Sequence, residues 1–253
     1  MIDTHAHLDF PEFAEDFEEV RKRAAEVGVK QIINIGVDLK SSYKAVEFAK
    51  RYPEMFAAIG FHPHDAKHYN KKVEEELREL ANNFKVVAIG EIGLDFYRDH
   101  SPRDIQRRVF VKQIQLAKSL GLPMVIHIRN AYAEALDILA AEKAWEVGVV
   151  LHCFSGNREE AFRALDLGFL LSFGGVLTFK NSRLPELVAE VPLESVILET
   201  DCPFLAPHPY RGQRNHPALV QMVYMKLAEI LGRKFDEVEA QIDKNAENFF
   251  EFA

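Results

Sequence analysis

Eight short apolar runs, each followed by a longer segment with helical spacing, constrain this chain more than any other feature. The runs are Met1–Thr4, Gln31–Ile35, Met55–Ile59, Val86–Ile89, Met124–Ile126, Gly148–Leu151, Phe169–Ser172 and Ser195–Leu198. They are rich in Val, Ile and Leu, as strands buried on both faces are. Between them lie amphipathic stretches at Glu12–Val27, Ser41–Arg51, Val73–Asn83, Asp104–Leu120, Ala131–Glu142, Glu159–Leu167, Leu184–Glu190 and Pro217–Leu231. Within Asp104–Leu120 the stripe Ile105, Val109, Ile114, Ala117 and Leu120 has helical spacing, and Gly121 and Pro123 supply the stop. A last helix is expected near Asp236, with Asp236 and Glu239 at capping-box spacing. Strand then helix, repeated along the chain, predicts an α/β fold with a parallel sheet inside and helices outside. An open doubly wound sheet and a (β/α)8 TIM barrel share this alternation. No linker or low-complexity stretch breaks it, so residues 1–253 read as one domain.

The polar residues favour the barrel. His5 and His7 finish the first run and His62 follows the third; Glu91, His127 and His152 end the fourth, fifth and sixth. Asp201 follows the eighth, two residues past Glu199. A parallel barrel gathers all strand C-termini at one mouth, whereas an open sheet spreads them along an edge. In His5-Ala6-His7, residues i and i+2 share a face, so both imidazoles can approach one ion while Ala6 points away. The same parity pairs Ile89 with Glu91, Val125 with His127, Val150 with His152 and Glu199 with Asp201.

Imidazoles together with carboxylates suit Zn, Mn, Co, Ni or Fe, while Mg prefers oxygen and water. Four histidines (His5, His7, His127, His152) and two carboxylates (Glu91, Asp201) exceed the needs of one tetrahedral site with an open position. Two divalent ions sharing Glu91 fit better, and such a pair acidifies a water and clamps the oxygens of a hydrolytic transition state. Asp201 then both ligates and accepts the proton of that water. Cys153 and Cys202 each follow a candidate ligand, and parity turns them toward packing rather than metal.

Composition narrows the setting. Hydrophobic residues at 48% and charged residues at 28% are enough for a substantial soluble core. No stretch approaches the ~20 apolar residues of a membrane span. The start has no basic region followed by an apolar run, and His5 lies too close to it for a leader to be removed. Two cysteines in a chain this long read as reduced thiols, so the expected location is cytoplasmic. A net charge of -8 argues against non-specific nucleic-acid binding over the whole surface, although cations and a few arginines reverse the sign inside a cleft.

The segments Asp3-Thr-His-Ala-His-Leu-Asp9, Gly60-Phe-His-Pro-His64, Gly90-Glu-Ile-Gly-Leu-Asp95, His152-Cys-Phe-Ser-Gly156, Glu199-Thr-Asp-Cys-Pro203 and Arg214-Asn215 resemble the TatD family of metal-dependent hydrolases, often called TatD deoxyribonucleases. The resemblance runs from Asp3 to Pro217 in the family's order. It implies a TIM barrel of the amidohydrolase superfamily and a Mg- or Mn-assisted nuclease degrading DNA from the 3′ end. It also implies His5, His7, Glu91 and Asp201 as ligands of one metal, and Glu91, His127 and His152 as ligands of a second, bridged by Glu91. His62 resembles a substrate- or phosphate-facing histidine, with packing against Pro63 as the other reading; His64 is expected to shape that loop. Two positions depart from the family: Asn130 and His216 stand where Asp and Glu are common. Neither removes a candidate ligand; both bear on substrate preference.

Arg98, Arg103, Arg129, Lys180, Arg211 and Arg214 follow strand-like runs, and Arg129 and Arg214 are the expected phosphate contacts. Phe61, Phe96, Tyr97, Phe154 and Phe204 either stack an unpaired base or form the upper core of the barrel. The expected function is a deoxyribonuclease using two divalent ions (Mg, Mn or Zn) on single-stranded DNA ends. Hydrolysis of an amide, ester or lactone is the alternative within enzymes, and a non-catalytic metal-binding barrel the alternative outside them.

Overall fold

The strands β1 (Ile2–Ala6), β2 (Gln31–Ile35), β3 (Met55–Ile59), β4 (Val86–Asp95), β5 (Met124–Arg129), β6 (Val149–Leu151), β7 (Leu170–Phe173) and β8 (Val196–Leu198) pair in chain order, each parallel to the next. The structure, a computed structural model, describes residues 1–252. Its two sheet edges meet. Ala6 bridges to Cys202, the His7 amide donates to the Cys202 carbonyl and the Asp201 amide to the His5 carbonyl, both at 2.9 Å. This closes the (β/α)8 TIM barrel and excludes the open sheet. Outside lie α1 (Phe17–Glu26), α2 (Leu39–Arg51), α3 (Lys71–Leu80), α4 (Arg103–Leu120), α5 (Tyr132–Ala141), α6 (Arg158–Asp166), α7 (Leu184–Val188), α8 (Val220–Leu231) and α9 (Phe235–Phe250). Among the described residues no helix is long and apolar enough to cross a membrane.

Alternation along the strands builds two apolar layers. Ile33, Phe56, Ala88, Val125, Val150 and Ile197 face the lumen, and α9 closes its lower end with Ala246 and Phe250. Burying a phenylalanine this way contributes roughly 1.5–3 kcal/mol. The residues between them, such as Ile59, Ile89, Ile126 and Leu198, pack under the helices.

Several local expectations differ. Glu12–Val27 is not one helix: a 3-10 turn at Pro11–Phe13 precedes α1, and Arg214 bonds the Glu12 carbonyl and Asp16 at that break. Asp236 and Glu239 form no capping box, because α9 starts at Phe235 without a side-chain cap. Glu239 instead accepts from the Met1 amine at 2.9 Å. β4 runs six residues past the expected end, since Glu91 and Asp95 are buried among partners that satisfy them.

The strand parity assumed for Glu91 also fails. Ile89 pairs with Met124 and Ile92 with Ile126, so β4 spends one extra residue there. Ile89 and Ile92 both pack in the helix-facing layer. Glu91 reaches the lumen through this inserted residue, not by simple alternation. β1 uses the same device: Asp3 pairs with Ile32 but Ala6 with Asn34. That insertion leaves Ala6 in the outer layer, between His5 and His7, as the spacing suggested.

Candidate metal centre

The mouth of the barrel collects the predicted residues around one carboxylate. Glu91 is buried, and its two oxygens face different histidine groups. Oε1 lies 2.8 Å from His127 Nδ1, 2.9 Å from His152 Nε2 and 3.5 Å from His62 Nε2. Oε2 lies 3.6 Å from His5 Nε2 and 3.8 Å from His7 Nε2. Asp201 closes that second side, with Oδ1 3.8 Å from His5 Nε2 and 3.5 Å from His7 Nε2. Gly93 makes the β4–β5 contact possible: at φ 144°, a Cβ there would lie 2.0 Å from the His127 carbonyl oxygen.

These separations suit metal ions. A tetrahedral ion with bonds of about 2.1 Å holds its ligands roughly 3.4 Å apart. His5 and His7 present Nε2 atoms 3.2 Å apart, and their distances to Glu91 and Asp201 range from 3.5 to 3.8 Å. On the other side His127 Nδ1 and His152 Nε2 are 3.4 Å apart. Three candidate ion-holding groups result: His5, His7 and Glu91; His5, His152 and Asp201; and His62, Glu91 and His127.

The charge balance points the same way. Burial disfavours charge on Glu91, but His152 and His62 outweigh it and hold the carboxyl well below its ordinary range. Asp201 is likewise depressed, burial being overcome by His7 and His5. Burial lowers His5, and lowers His62 to about 4. For His7, His127 and His152 burial is outweighed by neighbouring carboxylates, and their pKa values rise. The carboxylates thus favour positive charge at these rings, which is the charge a divalent cation would supply there.

Groups behind His7 and His127 hydrogen-bond their second ring nitrogens and so orient these imidazoles, and Glu199 lies behind His152. The His7 Nδ1 lies 3.2 Å from the Ile35 carbonyl oxygen, and His152 Nδ1 lies 3.4 Å from Glu199 Oε1. Glu199 is itself gripped by the Cys153 amide and the Ser172 hydroxyl, both at 2.6 Å. Asp95 faces His127 Nε2 at 3.3 Å and His64 Nε2 at 2.8 Å through Oδ2. Its Oδ1 accepts from the Tyr97 and Arg98 amides at 2.9 and 2.8 Å. Asp95 and Glu199 are not among the candidate ligands that the sequence offers. Both sit in the family-like motifs, four residues after Glu91 and two before Asp201, and that proximity is the signal the sequence carries. His64 does shape its loop, by bonding Asp95.

The expected substrate residues divide. Arg129 ends β5 exposed, forms no ion pair among the described residues, and lies over the Tyr97 ring at 4.1 Å. Arg214 is committed elsewhere: it bonds Asp16 Oδ1 at 2.9 Å and the Glu12 carbonyl, and lies over Phe13. Arg103 is paired with Asp99, and Arg211 lies over Phe179. Phe61 and Phe154 are core residues, Phe96 lies under Arg103 and Arg107, and Tyr97 and Phe204 are exposed. Asn130 takes a positive φ of 52° beside Arg129. His216 sits with Arg23, Arg214 and Asp16, its pKa lowered by burial, rather than among the metal-facing donors. Cys202 is packed in the outer layer, and burial raises both thiols well above their ordinary value.

A closed (β/α)8 barrel whose mouth gathers histidines and carboxylates in this way defines a TIM-barrel, metal-dependent hydrolase. Comparison with known proteins makes the assignment particular. The chain matches the family described as TatD related DNase over residues 2–251. It is 43% identical to the uncharacterized metal-dependent hydrolase YabD of Bacillus subtilis, over 99% of this chain and 98% of that protein. It is 34% identical to the 3'-5' ssDNA/RNA exonuclease TatD of Salmonella typhimurium, over 99% of each chain. Its fold superposes on the crystal structure of YJJV, a TatD homolog from Escherichia coli, with a TM-score of 0.94 at 32% identity, covering 100% of this chain and 98% of that one. The chain belongs to the TatD family of metal-dependent hydrolases.

Proposed function

We propose that this protein is a 3′–5′ exonuclease of single-stranded DNA ends that works with two divalent ions, drawn from Mg, Mn and Zn. The observation that carries the reading is the position of Glu91, with one oxygen toward His5 and His7 and the other toward His127 and His152. In this reading His5, His7, Glu91 and Asp201 hold one ion, and Glu91, His127 and His152 the other, with His62 beside it. Ions bound there lower the pKa of a water and offset phosphate charge.

The chain's own groups supply the rest. Asp201 is kept ionised by His7 and His5, so it can take the proton that the attacking water loses. The water oxygen bonds to phosphorus as the bond from phosphorus to the leaving sugar oxygen breaks, and the proton taken up by Asp201 passes to that oxygen, leaving a free hydroxyl and an ionised Asp201. Glu91, also held ionised, ties the two halves of the centre together. Arg129, which forms no ion pair among the described residues, is available to a phosphate oxygen, and His62, depressed to about 4, meets substrate as a neutral ring. Arg214 can join only by giving up Asp16. That the Salmonella relative is named a 3'-5' ssDNA/RNA exonuclease supports the substrate class. Two unpaired cysteines support a cytoplasmic location, and the family match across residues 2–251 supports one domain.

The test is direct. Metal-stripped protein reloaded with Mg, Mn or Zn should shorten a 5′-labelled single-stranded oligonucleotide from its 3′ end, and EDTA should stop it. Turnover of acyl compounds alone, from a panel of amides, esters and lactones, would reject the nuclease assignment. Neither activity in metal-loaded protein would favour a non-catalytic metal-binding barrel.

A further inference from the structure

The loop after β8 holds exposed apolar side chains at the mouth that the chemistry above does not use. Phe204, Leu205 and Tyr210 are 48%, 38% and 41% exposed. Phe204 follows Asp201 by three residues, and its ring stands edge-on to that of His7 with centroids 6.4 Å apart. Phe10 stacks on His7 at 4.9 Å and meets Phe204 edge-on at 6.0 Å. Phe10, His7 and Phe204 therefore form a continuous aromatic wall on the His5–His7–Asp201 side of the centre.

The backbone carrying this wall is pinned. The Phe204 amide donates to the Asp201 carbonyl at 2.9 Å. Its carbonyl accepts from Asn215 Nδ2 at 2.7 Å, and the same nitrogen reaches the Thr200 carbonyl at 2.8 Å. Asn215 is fully buried, so Phe204 is fixed to the backbone that presents Asp201. Gly175 admits the next turn of the loop, since a Cβ there would lie 2.0 Å from the Leu205 carbonyl oxygen. A phenylalanine on a fixed backbone, half in water beside a candidate metal ligand, offers a preformed stacking face.

We infer that Phe204, backed by Phe10, is the platform on which the base of the departing nucleotide stacks, which makes it a specificity-determining residue for unpaired ends. The inference rests on the exonuclease reading above. Every base has a π-face, so such a platform tolerates any sequence. A base held in a duplex is stacked and paired and must leave both arrangements to reach it. The contact acts on the base, away from the charge developing at phosphorus, so it belongs in KM rather than kcat.

The experiment compares wild type, Phe204→Ala and Phe204→Trp, all Mn-loaded, on single-stranded oligonucleotides whose 3′-terminal residue either carries a base or is abasic. Wild type should favour the base-bearing end by roughly tenfold in kcat/KM, the scale of one stacking contact. Phe204→Ala should raise KM for that end about tenfold with little change in kcat, erasing the preference. Phe204→Trp should restore it. An alanine variant that keeps the preference overturns the inference and leaves the exonuclease reading standing. A tryptophan variant that behaves like alanine also overturns it. Wild type that shortens neither oligonucleotide overturns both.

Discussion

Replacing Asp95 by asparagine should weaken one ion site and spare the other. Asp95 uses one oxygen for the Tyr97 and Arg98 amides and the other for His127 Nε2 and His64 Nε2. An ionised carboxylate accepts on both edges, whereas an amide accepts on one and donates from the other. If the asparagine oxygen stays with the two amides, its NH2 group faces His127 Nε2. His127 must then keep its lone pair on Nε2 and place its proton on Nδ1, the atom 2.8 Å from Glu91 that the proposed second ion would need. If the side chain flips, the Tyr97–Arg98 turn loses both acceptors. Loss of such an orienting partner costs roughly 10- to 100-fold in metal affinity, equivalent to about 1.4–2.8 kcal/mol. The proposed first site, on His5, His7 and Asp201, lies on the other side of Glu91 from Asp95's partner His127. Calorimetric titration of metal-free protein with Mn should therefore show one site weakened by that factor and one unchanged. Equal weakening of both sites, or of neither, would refute the reasoning.

Other perturbations follow from the same geometry. Glu91→Ala removes the carboxylate common to both histidine groups and should abolish nearly all turnover, whereas Cys202→Ala, confined to packing, should retain most of it; comparable rates in the two variants would contradict the roles assigned. Arg129→Ala should raise KM for oligonucleotides and flatten the salt dependence of binding by about one contact. Arg214→Ala should instead lower stability, by at most about 1 kcal/mol for so exposed a pair, as read by denaturant unfolding. His216 is held below its ordinary pKa by burial, with Arg23 and Arg214 adding to the effect. It binds a proton more weakly folded than unfolded, so its stabilising contribution is present above about pH 6.5 and declines as pH falls through that value. The loss of stability between pH 7.5 and 5.5 should therefore be smaller in His216→Gln than in wild type.

Much of the barrel was legible because its signals are local. Runs such as Gln31–Ile35 and Met55–Ile59 are buried on both faces, and they became strands with the expected ends. Gly121, at φ 68°, ends α4 where expected. Residues placed at strand ends converged for the same reason: every strand points its C-terminus at one mouth. What escaped depends on contacts between elements. The extra residues in β1 and β4 turn His5 and Glu91 inward, and no pattern within either strand announces them. Asp95 and Glu199 matter through His127 and His152, which lie on other strands. Arg214 looked free in sequence because its partner Asp16 is almost the whole chain away.

The most direct test of the account is the number and position of ions that the mouth accepts. Crystals soaked in Mn and measured by anomalous scattering should show two peaks about 3.5–4 Å apart, one on each side of the Glu91 carboxylate. A single peak, or two peaks that do not share Glu91, would contradict the paired-ion centre.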